Sequence, residues 1–258
     1  MGHDEIRPVT LRAAIIANRL NTARNHLGLT TRALAELMNM TVAMANRMMT
    51  GRRIPTSLQI GALCALLDID PAQRPLLYDL TRTATDTTWL LPHHNTDSPH
   101  LIAEIEATAN TAVHYHPHHI PLPARTPEYH HAITGHPRPA TPPATPDPHR
   151  TLLIPETALT RTPTPPQVLR DQLDALLHGP WSVRVLPATE PPTEAFTQLH
   201  IPHFHPVIAL DLLTTHLILE HPDTTTPYQQ RTQDLLDHSL TDTDSLDTLR
   251  AHRTRLDT

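Results

Sequence analysis

Six prolines fall between Pro137 and Pro148. Proline fixes φ and removes a backbone donor, so neither a helix nor the interior of a sheet can run through that stretch. It reads as an exposed loop or linker, and the chain must fold on either side of it. At 258 residues the length suits two units rather than one or three. With 2 Phe, 2 Trp and 4 Tyr among 38 % hydrophobic residues, aliphatic side chains must fill both cores.

Charge separates the two parts. Residues 1–84 hold ten Arg against six acids, a net of +4, whereas the remainder holds ten Arg against 20 acids, a net of -10. Between Arg12 and Pro55 seven Arg face Glu36 alone. A basic module joined to an acidic body implies a polyanionic partner for the first part, with a solvated helical surface as the plainer reading. A single Cys, Cys64, excludes a disulfide framework and a thiolate metal cluster. No apolar run approaches the roughly 20 residues that span a bilayer, and Met1 to Pro8 lacks the apolar stretch of a signal peptide. A soluble, cytoplasmic protein with no membrane partner is expected.

The first 84 residues predict five short helices, at 11–26, 31–38, 42–49, 58–67 and 71–84, with Thr30, Thr41 and Thr56 or Ser57 as N-caps and Pro71 in the first turn of the fifth. Ile16, Leu20, Ala23 and Leu27 form one apolar stripe that Gly28 ends. Residues 89–99 read as a polar connector, 101–113 as a helix, and 114–149 as an exposed segment rich in Pro and His. From about 150 to 258 strands mix with helices. Strands are expected at 152–154, 182–186, 196–201, 207–211 and 217–220, and helices at 156–160, 167–178, 228–240 and 244–255. The expected fold is an all-α helix-turn-helix N-terminal domain over 1–84 plus an α+β C-terminal domain over 85–258.

Residues 28–48 have the spacing that two crossed helices need. Ala35 is small where the backbones meet, Asn39 tolerates the left-handed turn, and Leu34, Met38, Met40, Ala45 and Met48 point inward. Thr31 and Arg32 then begin a supporting helix near a phosphate, and the first turn of the next helix, from Thr41, faces a major groove. Val42 or Ala43 can touch a thymine methyl, Asn46 and Arg47 supply polar contacts, and Arg52 and Arg53 follow as a basic turn suited to phosphates.

The pattern Leu20-x-x-Ala23-Arg24-x-x-x-Gly28-Leu29-Thr30, then Leu34-Ala35, then Arg47-Met48-x-x-Gly51-Arg52-Arg53-x-Pro55 resembles XRE-type (λ-repressor-like) DNA-binding domains. It departs from them at Met49, where the family usually has Glu, and at Val42, Ala43 and Met44, which replace polar base-reading side chains. Downstream, Ile120 to Tyr129 resembles the "VPGLLQTPEYARA" signature of a domain of unknown function joined to such headpieces in actinobacterial regulators, including relatives of the sporulation regulator WhiJ. Leu122, Ala124 and Arg125 replace its Gly, Leu and Gln. Glu156-Thr157-Ala158-Leu159, Gln172-Leu173, Val183 to Pro187, Phe196, Glu220 and Ser245 continue the likeness in order. The resemblance implies a transcriptional regulator, in some members paired with a small acidic protein encoded nearby, and no known catalytic activity; no cofactor is expected.

Histidine offers a further chemistry. His114, His116 and His118 alternate, His119, His130 and His131 lie close in sequence, and His200, His203 and His205 form a second cluster. Imidazoles can gather a transition metal, but 19 of the 21 histidines are scattered through residues 85–258. Surface histidines produced by codon bias are the default, and no metal site is assigned. Cys64 sits among Leu63, Leu66 and Leu67 and reads as core. Glu156, Glu190, Glu194 and Glu220 show no spacing that pairs two carboxylates, and no nucleophile elbow or phosphate loop occurs. The sequence therefore predicts a non-enzymatic, homodimeric regulator of double-stranded DNA. The alternative is a protein-interaction or antitoxin-like module that uses the Val42-Ala43-Met44 face, and a third reading is a metal- or ligand-gated repressor.

Overall fold

Threonine hydroxyls set where the early helices begin in the computed structural model, which describes residues 9–139, 149–160 and 164–256. Thr10 caps α1 (Leu11–His26), Thr30 caps α2 (Thr31–Leu37) and Thr41 caps α3 (Val42–Met49), each accepting from the N–H three residues on. α4 (Ser57–Leu66) has a full capping box, in which the Thr56 hydroxyl accepts from the Gln59 N–H and the Gln59 side chain accepts from the Thr56 N–H. These contacts satisfy donors that the first helical turn leaves open.

All four helices also end alike. Gly28, Asn39, Gly51 and Asp68 adopt φ values of 65, 49, 68 and 49°. The following N–H reaches back to a carbonyl of the last turn, Leu29 to Arg24, Met40 to Ala35, Arg52 to Arg47 and Ile69 to Cys64. This is the Schellman ending, and it needs a residue that tolerates the left-handed region. α5 (Arg74–Arg82) begins later than the expected residue 71. A helix begun at Pro71 would put Pro75 beyond the first turn, where its missing N–H breaks the ladder. Instead the Asp70 carboxylate accepts from the Ala72 N–H and holds a turn before the helix.

Leu11, Ile15, Ile16, Leu20, Leu34, Ala45, Met48, Ile60, Leu63 and Leu77 form the buried interior of this helical unit, while Met38 and Met40 are only half-buried. α1 packs on α3 and α5, α2 on α3, and α4 on α5. The chain divides into Met1–Trp89 and Leu90–Thr258, with the boundary inside β1 (Thr88–Pro92).

The second unit is built on a mixed sheet. In chain order after β1 come α6 (Ser98–Ala107), β2 (Thr111–Tyr115), a 3-10 turn (Leu122–Ala124), α7 (Pro127–Thr134), β3 (His149–Pro155), α8 (Thr157–Thr160), α9 (Pro166–His178) and β4 (Ser182–Leu186). β5 (Phe196–His200), β6 (Val207–Asp211), β7 (Thr215–Leu219), α10 (Pro222–His238) and α11 (Asp242–Arg255) complete it. The strand order is β1-β7-β6-β5-β2-β3-β4. β2, β3 and β4 run parallel, whereas β5 is antiparallel to β2 and to β6, and β6 to β7. The fold is thus all-α followed by α+β.

Strand alternation feeds two cores. Leu152, Ile154, Val183 and Val185 join Tyr129 of α7, Leu169, Leu173 and Leu176 of α9 and Leu249 of α11. Leu153 and Leu186 point the other way, toward Phe196, Ile208, Leu210 and Leu235 of α10. Apolar area of this kind is worth about 25 cal/mol per Å² buried, which makes the two faces the main source of the unit's stability.

The structure departs from the sequence expectation between residues 88 and 134. The expected connector at 89–99 contains a strand, and the expected helix 101–113 ends at Ala107 because Thr111 to Tyr115 is taken up by β2. The segment 114–149, expected to be exposed, is partly core: His114, Tyr115, Ile120, Ala124 and Tyr129 are all buried. The proline stretch expected to be a linker lies, from residue 140 to 148, outside the described residues. Among the described residues no helix is long and apolar enough to cross a membrane.

Candidate nucleic-acid interface

The turn between α2 and α3 fixes what the third helix presents. Asn39 at φ 49° closes α2, and the Met40 N–H bonds to the carbonyl of Ala35, a fully buried residue at the helix crossing. Leu34, Ala45 and Met48 then face inward, leaving Val42, Ala43, Asn46 and Arg47 on the open side of α3. Thr41 is exposed, and its hydroxyl oxygen accepts from the Met44 N–H, which leaves the hydroxyl proton to donate elsewhere. Val42 is 47 % exposed, a large value for an apolar side chain.

The basic turn after α3 is set by the backbone. Gly51 is buried and left-handed, its carbonyl accepts from the Val9 N–H, and both the Arg52 and Arg53 N–H groups bond to the Arg47 carbonyl, at 2.8 and 3.0 Å. Both guanidinium-bearing residues are exposed, next along the chain to the open face of α3. On α2, Thr31 is half-exposed and Arg32 fully exposed, the latter 3.8 Å from Glu36. At 81 and 74 % side-chain exposure that ion pair is worth little and holds Arg32 weakly.

Two of the seven arginines that made the segment look basic serve the fold instead. Arg12 is 7 % exposed, donates to the carbonyls of Thr83 and Asp86 at 2.9 Å each, and stacks over the Trp89 ring at 4.5 Å. Arg24 donates to the Asn21 side chain and to the Leu29 carbonyl, bracing the end of α1. The role of Arg12 does not show in the sequence, because its partners come from the far end of the unit.

The histidines do not assemble as their spacing suggested. His114 faces Thr197 of β5 at 2.9 Å, and burial followed by the Arg150 charge pushes it down to about 3. His116 accepts from the His118 and His119 N–H groups and so organises a turn; burial, then Arg125, pushes it down to about 3 as well. His200 instead meets the Gln198 side chain. Burial also pushes the Cys64 thiol up, against the opposing charge of Arg74, which keeps it protonated. Glu156 meets His252, Glu190 meets Arg231 and His238, and Glu194 accepts from the Tyr228 hydroxyl. Burial and that carboxylate push Tyr228 up to about 12.

Comparison with known families agrees with this geometry. Residues 15–77 match the model of a helix-turn-helix domain, and residues 137–251 match a domain of unknown function, DUF5753. No curated protein and no solved structure gives a significant match. The helix-turn-helix match supports DNA binding and a regulatory architecture, and the second match assigns its region no function.

Proposed function

We propose that this protein is a cytoplasmic, sequence-specific transcriptional regulator of the XRE type, with a WhiJ-like second unit that dimerises it, senses an effector or recruits a partner. One observation carries the reading: α3 turns Val42, Ala43, Asn46 and Arg47 outward while a Schellman turn brings Arg52 and Arg53 out beside them. The six side chains combine apolar, amide and cationic chemistry on one short stretch, which is what a major groove and its flanking phosphates accept. Thr31, Arg32 and Thr41 add donors for the backbone. Two such units in a homodimer place their third helices about 34 Å apart on a palindromic duplex. Footprinting on the DNA upstream of its own gene tests the reading: protection of paired half-sites is expected, and uniform binding to any duplex refutes sequence specificity.

A second reading rests on the apolar exposure of Val42 and, on α2, of Leu37 at 57 %. In it the same face docks a protein, such as a small acidic partner, and DNA binding is weak. Val42→Ser separates the two, because it removes a protein contact while leaving every phosphate contact in place.

A further inference from the structure

Three ligating side chains from separate stretches of the second unit converge where β1, β6 and β7 meet. Asp211 ends β6 and is in register with His216 of β7. His93 follows β1, and its N–H bonds to the Thr214 carbonyl in the hairpin between β6 and β7. His93 Nε2 lies 3.0 Å and His216 Nδ1 3.1 Å from the same Asp211 oxygen, and the two rings are 4.3 Å apart. All three ligand atoms fall within 4.8 Å of one another. We propose that His93, Asp211 and His216 form a binding site for a divalent transition-metal ion of the zinc, cobalt and nickel class.

The spacing fits the chemistry. Nitrogen and oxygen ligands about 2.0–2.2 Å from a tetrahedral ion stand about 3.3 Å from each other, so the two N···O separations need to open by only a few tenths of an ångström. The imidazoles must present lone pairs rather than N–H protons to the ion, a change of tautomer that the half-exposed rings allow. Two imidazoles and one carboxylate select a borderline metal over magnesium or calcium, which require more oxygen ligands. Arg125 lies within electrostatic reach of Asp211, and its positive charge further disfavours hard cations held by charge alone. The site opens to solvent, with the Asp211 side chain 59 % exposed, so a water or a small anion can take the fourth position. An ion here ties His93, just past the end of β1, to the β6–β7 hairpin of the same unit.

The test is direct. Full-length protein freed of metal with a chelator is titrated with Zn(II) by calorimetry and with Co(II) by visible absorption. One saturable ion per chain is expected, with a tetrahedral Co(II) spectrum. His93→Gln, His216→Gln and the nearly isosteric Asp211→Asn are each expected to weaken binding at least tenfold, while His205→Gln in the neighbouring His cluster leaves it unchanged. Asp211→Asn keeps the side-chain shape, so the comparison survives if a His variant unfolds. The proposal is overturned if no ion binds at micromolar concentration, if binding persists in all three variants, or if magnesium competes equally.

Discussion

Truncating Arg52 and Arg53 together to alanine removes two exposed charges without touching the turn that carries them. Their backbone N–H groups stay bonded to the Arg47 carbonyl, and neither side chain is part of the buried interior. The fold therefore survives, and any lost affinity is electrostatic. Each phosphate neutralised releases counterion and contributes about 0.9 to the slope of log K against log salt, so the pair contributes about 1.8 per headpiece. Over a fourfold rise in salt, from 50 to 200 mM, that is about a tenfold change in affinity that the wild type suffers and the variant does not. Fluorescence anisotropy with a labelled random duplex across that range measures it. Equal slopes for the two proteins would refute the assignment of both residues to phosphate contact, whatever the absolute affinities.

Asn46→Ala with Arg47→Ala is expected to shrink the preference for operator over random DNA by about 1–3 kcal/mol per lost base contact, read by competition binding. Gly51→Ala forces a Cβ into the left-handed region, costs about 1–2 kcal/mol in urea denaturation, and weakens DNA binding with every charge retained. Arg12→Met strips the donors from Thr83 and Asp86, lowers stability by on the order of 3 kcal/mol, and leaves the salt slope unchanged. Burial pushes His114 and His116 down to about 3, well below the usual imidazole value of about 6.5, and holds both rings neutral near pH 7. On acidification the unfolded chain takes up their protons first, so the stability they carry is complete above about pH 6.5 and is lost as pH falls toward 3. Each ring contributes a slope of up to about 1.4 kcal/mol per pH unit in that window. Denaturation at pH 7, 6 and 5 is expected to show it, with His116→Gln flatter than wild type; parallel curves would contradict it.

The helical unit was legible because its signals are local. A Thr before an apolar run and a Gly or Asn after one determine caps and Schellman endings within a few residues, and Thr30, Thr41, Thr56 and Asn39 act as read. The second unit was legible from residue 150 on, where strands and helices alternate in strong patterns. β1 and β2 were missed because five-residue strands with mixed polarity match no periodicity, and β2 owes its state to partners far along the chain, β3 and β5. The same nonlocal pairing buries His114. α10 was expected to begin after Pro227, yet the helix starts at Pro222 and carries that proline inside it. Of the candidate interface, residue types and order were readable, but the structural duty of Arg12 was not. His93 and Asp211 stand 118 residues apart, so no spacing rule could join them.

The most direct test of the account is photo-cross-linking from single sites in the full-length protein to a labelled duplex. A cross-linker at Ala43, on the open side of α3, is expected to label the duplex strongly at low salt and weakly at high salt. One at Leu213, 95 % exposed in the β6–β7 hairpin, is expected to label it little. No labelling from Ala43, or equal labelling from both positions, would contradict the claim that the third helix lies on DNA.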